Sequence, residues 1–122
     1  MTDQQLNRKL AQLMGYSVHT TPGDHFVLIS SDNKYMSGVC DDEITAWKLV
    51  PDYCNDPATS LEVQAAAIEL DRVAYVINLY EACYDFKRDK DTVWDEINIA
   101  FLLNASPRQR AEAAYITLSG QD

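Results

Sequence analysis

Several groups of side chains in this chain are of types that do chemistry, and each must be weighed against the local structure its neighbours impose. His19 and His25 flank the turn Thr20-Thr21-Pro22-Gly23-Asp24, so a hairpin would bring two imidazoles and the Asp24 carboxylate together, three donors of the kind zinc accepts. The spacing matches no zinc signature, and solvent-facing loop histidines account for it. Asp41, Asp42 and Glu43 are contiguous carboxylates. A catalytic pair must converge on a substrate and a hard cation needs ligands from several directions, whereas a helix cap and an acidic first turn use all three as they stand. Cys54 lies beside a helix start, where a thiolate is stabilised, and either histidine is a formal base, yet no GxSxG, HExxH or glycine-rich phosphate loop accompanies it. No metal, cofactor or catalytic residue is expected from these groups.

Arg108 and Arg110 are the least bland pair, because they follow Ser106-Pro107 in the first turn of a predicted final helix, where positive charge opposes the helix dipole. With the free N–H groups after Ser106 they form a candidate ligand site, composed of Arg108, Arg110 and Ser106, for a phosphate or carboxylate. Two surface arginines also stand without any ligand at little cost. Trp47, Tyr53, Tyr75, Tyr80, Tyr84 and Trp94 could build an aromatic platform, although such residues more often form a core and its rim.

The elements that must position these groups belong to a small chain. Its 122 residues fit one domain spanning residues 1–122, and 47% hydrophobic residues argue against intrinsic disorder. Ten basic and nineteen acidic side chains give a net charge of −9, which repels nucleic acid, and no apolar run approaches the roughly 20 residues that cross a bilayer. Neither nucleic acid nor membrane is expected as a partner. Met1 to Leu13 lacks a signal-peptide apolar core, and Cys40, Cys54 and Cys83 are odd in number with no CxxC pair, so reduced thiols and a cytoplasmic location are expected.

Thr2-Asp3-Gln4-Gln5 has capping-box spacing, and Leu6, Leu10, Leu13 and Met14 then recur at helical intervals, predicting a helix over about residues 3–14 that stops at Gly15. Tyr16 and Val18, then Phe26 to Ile29, surround Thr21-Pro22-Gly23-Asp24 and predict a hairpin; Lys34 to Cys40 adds a third short strand. Asp41 or Asp42 caps a short helix that ends before Pro51. A third helix begins at Pro57, with Leu61, Ala65 and Ile68 as its buried stripe, widened by Val63, Ala66 and Leu70. Val73, Tyr75, Ile77 and Leu79 alternate and argue for a strand, a single long helix through Tyr84 being the alternative. Lys87 to Asp91 reads as a charged hairpin loop, and Ile97, Ile99, Phe101 and Leu103 as the returning antiparallel strand. Ser106-Pro107 opens a last helix that buries Ala111, Ala114, Tyr115 and Leu118 before Gly120.

Between the second and third helices lies Val50-Pro51-Asp52-Tyr53-Cys54-Asn55-Asp56-Pro57, in which Pro51 stops one helix, Asp56 caps the next and Pro57 starts it. With Met14-Gly15-Tyr16 after the first helix and the closing Ala105-Ser106-Pro107 to Ala114 helix, this segment resembles the phage ABA-sandwich domain family, whose corresponding segment reads PDYSTD. Pro51, Asp52, Tyr53, Asp56 and Pro57 carry the likeness as structural residues. Cys54 and Asn55 replace the family's Ser-Thr, and Leu61-Glu62-Val63 stands where the family often has Trp.

The resemblance implies an α+β fold, an antiparallel sheet flanked by helices in an α-β-α sandwich, and a phage or prophage origin in a host cytoplasm, with no catalytic residues to transfer. The function expected is that of a non-enzymatic accessory protein that binds a protein partner or itself as a homodimer or higher homo-oligomer. An alternative is a sponge for an anionic nucleotide-like host signal, acting in anti-defence, and a small cysteine-dependent hydrolase ranks third.

Overall fold

The computed structural model describes residues 1–83 and 96–120, and the chain divides into two compact units, Met1–Asp52 and Tyr53–Asp122. The boundary falls inside the Val50 to Pro57 segment.

In the first unit, helix α1 (Asp3–Leu13) opens with a reciprocal capping box: Gln5 N–H donates to Thr2 Oγ1 at 3.2 Å and Thr2 N–H to Gln5 Oε1 at 2.9 Å. Leu6, Leu10 and Ala11 are buried with Asn7, and Leu13 faces solvent. The predicted hairpin forms from β1 (Ser17–Thr21) and β2 (His25–Ile29), antiparallel, with register running from Ser17↔Ile29 to Thr21↔His25. Gly23 and Asp24 take positive φ in the connecting turn, which Pro22-Gly23-Asp24 is built to allow. Val27, Leu28 and Ile29 are buried.

The third strand expected over Lys34 to Cys40 is reduced to two isolated bridges, Phe26↔Cys40 and Ile29↔Tyr35. Leu28 donates its backbone N–H to Ser37 Oγ at 3.1 Å instead of to a strand carbonyl, which interrupts the ladder at its centre. Helix α2 (Glu43–Trp47) is capped by Asp42, whose Oδ1 accepts from Thr45 N–H at 2.7 Å; hydrogen bonding from the Thr45 side chain, and after it from this backbone N–H, holds the Asp42 carboxyl below the usual carboxylate range.

In the second unit, α3 (Pro57–Cys83) starts at the expected proline, and its first carbonyl bond runs from Ser60 N–H to Asp56 O. Helix continues through the segment whose alternation suggested a strand, with one interruption at Asp71 (φ −159°, ψ 90°). The alternating residues separate by helical rule: Tyr75 and Leu79, four apart, are buried with Asn78, while Val73 and Ile77 face outward. The stripe chosen for the first half of α3 is likewise corrected. Ser60, Val63 and Ala67 are its buried residues, and Leu61, Ala65, Ile68 and Leu70 are exposed.

The strand expected over Ile97 to Leu103 is the helix α4 (Glu96–Leu103), and the partner it would have needed, residues 73–79, is itself helical. The charged loop Lys87 to Asp91 lies outside the described residues. Helix α5 (Pro107–Ser119) packs on α3 through Ala111, Ala113, Ala114 and Thr117, whereas Tyr115 and Leu118 are only half-buried. Gly120 ends it in the left-handed region. The fold is mixed α+β, and among the described residues the sheet consists of the one two-stranded hairpin.

Gly15 is the glycine that the first unit cannot replace. Its φ is +98°, and an added Cβ would meet the Ser31 Cβ at 2.7 Å. Gly15→Ala therefore combines a left-handed backbone with a clash, and is expected to lower unfolding free energy by about 2 kcal/mol or more in denaturant titration.

Candidate functional site

The start of α5 gathers the three residues singled out for an anion. Ser106 is fully used as a cap: its Oγ accepts from Gln109 N–H at 3.1 Å, and its own N–H donates to Gln109 Oε1 at 2.8 Å. Arg108 pairs with Glu112 one turn along, Nε to Oε1 at 2.7 Å, and its Nη1 stands 3.9 Å from Cys54 Sγ. The ion pair supplies the negative charge that a helix N-terminus favours, which offsets the unfavourable placement of the arginine.

Arg110 is differently placed. Its Nη1 donates to Ser60 Oγ at 3.4 Å, and the Ser60 hydroxyl in turn donates to Pro57 O at 2.8 Å. Ser60 is completely buried, Arg110 half-buried, and among the described residues no carboxylate forms an ion pair with Arg110. Its positive field reaches Tyr75 and Cys83. Burial pushes both of those groups above their ordinary pKa values, and Arg110 draws each part of the way back. The Tyr75 hydroxyl donates to Gln64 Oε1 at 2.8 Å. Beside the α3–α5 contact Arg110 is thus bonded to Ser60 and Tyr75 to Gln64, with Tyr75 and Cys83 inside the field of the Arg110 cation. Sequence reasoning found the arginine and missed the other four, which lie 27 to 50 positions away.

The remaining candidates separate. His19 shares a 2.9 Å hydrogen bond with Ser17, and His25 Nδ1 lies 3.7 Å from Asp41. Among the described residues no three His, Cys, Asp or Glu side chains form a group able to hold a metal. Asp42 caps, and Glu43 accepts from Trp47 Nε1 at 3.4 Å. Cys54 is 3% exposed, in a unit whose sequence contains no histidine. Trp47, Tyr53, Tyr75 and Tyr80 are buried instead of forming an exposed platform, and Tyr84 and Trp94 lie outside the described residues.

In the first unit a half-open cleft of about 320 Å³ lies between α1 and α2. Arg8 stacks on Trp47 at 4.9 Å and reaches Glu43 at 3.9 Å, while Asn7 Nδ2 donates to Asp52 at 3.0 Å. These bonds tie the walls together and engage Asn7, Arg8 and Asp52 of the lining. The cleft joins residues more than forty positions apart with no shared motif, so nothing in the sequence announced it.

The buried phenol of Tyr75 has a measurable consequence. In the folded chain it keeps its proton to higher pH than in the unfolded chain, so its contribution to stability is intact below the ordinary tyrosine value of about 10 and is lost as pH rises beyond it. Tyr75→Phe is expected to flatten that alkaline decline while costing about 1 kcal/mol at neutral pH for the lost bond to Gln64, both read by denaturant unfolding across pH. No family model, no curated protein and no solved structure matches this chain.

Proposed function

We propose that the chain is a non-enzymatic accessory protein that works by binding another protein through the outer face of α3. The observation that carries this reading is the stripe of Leu61, Ala65 and Ile68, at helical spacing on the side of α3 away from Ser60, Val63 and Ala67. Leu61 is 46% and Ile68 42% exposed, although apolar residues so arranged normally face a partner. Exposed Glu62 and Glu69 run along one edge of the stripe, and the chain as a whole carries a charge of −9. The complementary surface is an apolar segment edged with lysine or arginine, which makes a partner of opposite charge a better fit than a second copy of this acidic chain. The likeness of residues 50–57 to the phage family supports a phage or prophage setting for that activity, and carries the α-β-α layering with it as a proposal.

A second reading, the capture of a small anion, draws its support from Arg110, which bonds to the Ser60 hydroxyl and has no carboxylate ion pair among the described residues. Arg108 and Ser106 contribute less, being engaged by Glu112 and Gln109.

Leu61→Asp combined with Ile68→Asp separates the two. Both positions are exposed, so the thermal midpoint should move little. Affinity isolation from the native host, followed by titration of the recovered partner against the purified chain, is expected to show binding that weakens with salt and falls at least tenfold in the double variant. Equal affinity of wild type and variant would refute the α3 reading. A co-purifying mass of a few hundred daltons in native mass spectrometry, lost in Arg110→Ala, would establish the anion reading instead.

A further inference from the structure

After Pro57, α3 contains neither glycine nor proline, the residues that ordinarily break a helix, yet it leaves helical geometry at a single residue. The break folds the helix back on itself. Gln64 and Tyr75 would stand about 16 Å apart along an unbroken helix, farther than their side chains span, but they share a 2.8 Å hydrogen bond. Arg110 and Thr117, about 10 Å apart along α5, bond to Ser60 and Asn78, which an unbroken α3 would hold about 27 Å apart. Residues 57–70 and 72–83 are therefore two arms of a helical hairpin hinged at Asp71.

The position of the hinge has a cause. In an unbroken helix Gln64, Ala67, Asp71, Tyr75 and Asn78 fall at intervals of three and four on one stripe. Ala67, Tyr75 and Asn78 of that stripe are buried, and Asp71 would sit at its centre. Taking a lone carboxylate into such a seam is costly, whereas at the hinge Asp71 is exposed and caps the second arm, its Oδ1 accepting from Ala74 N–H at 3.1 Å. The residues on either side of it, Glu69, Leu70, Arg72, Val73 and Ala74, are all compatible with helix.

The geometry points to Asp71 as the residue that keeps the second unit closed within one chain. With an apolar helix former in its place, α3 runs straight, and the segment from residue 72 onward no longer folds back on its own first arm. The arms then pair with those of a second copy, Gln64 of one chain meeting Tyr75 of the other, so that the bundle contacts are kept and exchanged between two chains. Two copies of Asp71 would face one another near the two-fold axis of such a dimer, so the native carboxylate opposes the exchanged form as well as stabilising the hairpin.

The test compares wild type with Asp71→Leu and Asp71→Asn, each carrying spin labels at residues 58 and 81 introduced as unnatural amino acids and diluted with excess unlabelled chain. Multi-angle light scattering reads the mass and dipolar spectroscopy the distance within one chain. Asp71→Leu is expected to form a dimer with an intrachain distance of about 35 Å, the length of the unbroken helix between the labels. Asp71→Asn, which retains the cap, should match wild type with a much shorter distance. Should Asp71→Leu fail to fold, Asp71→Ala is read in its place. A short distance in the apolar variant, or a long one in wild type or Asp71→Asn, overturns the assignment.

Discussion

The close approach of α5 to α3 is the constraint on which the second unit depends. It is possible because α5 presents Ala111, Ala113 and Ala114, all fully buried, where larger side chains would hold the helices apart. Methyl groups bury little area each, so the approach is secured by specific bonds: Arg110 to Ser60 near one end of α5 and Asn78 to Thr117 near the other. These reach opposite arms of α3, and α5 therefore packs against a helix that has already been folded in two. The broken helix and the small-residue helix require one another.

Local grammar was legible in the sequence wherever a backbone end had to be satisfied by a nearby side chain. Thr2 and Gln5 form the capping box that their spacing announces, Asp42 is the cap of the two aspartates expected for α2, and Pro57 and Pro107 stand in first turns, whereas the box between Ser106 and Gln109 takes up a serine that reads as part of a ligand site. The hairpin over residues 17–29 was legible for the same reason, its turn residues being ones that accept positive φ. What failed was the choice of partner surface. Val73, Tyr75, Ile77 and Leu79 satisfy a period of two, but the same residues satisfy a helix in which only Tyr75 and Leu79 face inward, and short apolar runs do not distinguish the cases. Leu61 and Ile68 read as core because they share a helical stripe with Ala65, yet the residues buried in that half of α3 are Ser60, Val63 and Ala67.

The candidate site was legible only in its charge. Two arginines at a helix start attract attention, and the sequence does not tell them apart. The structure does so through position: Arg108 is one turn from Glu112, whereas Arg110 turns toward the Ser60 hydroxyl contributed by α3. Electrostatics in the first unit follow a similar rule. Arg8 is held between the face of Trp47 and the carboxylate of Glu43, so a side chain that reads as a free surface cation fastens α1 to α2.

The buried bond between Asn78 Nδ2 and Thr117 Oγ1, 3.0 Å long, has a meaning beyond its strength. An alanine surface carries almost no information: rotated by a fraction of a turn, or slid by one residue, it presents much the same methyl groups to its neighbour. Thr117 also donates to Ala113 O at 2.9 Å, so its hydroxyl is fixed in direction and offers Asn78 a single place to bond. At that end of α5 this polar contact, like the bond from Arg110 to Ser60 at the other, distinguishes the native rotation and register from their near-equivalents. It acts as an index mark on an otherwise unmarked dial, telling the helix where to stop.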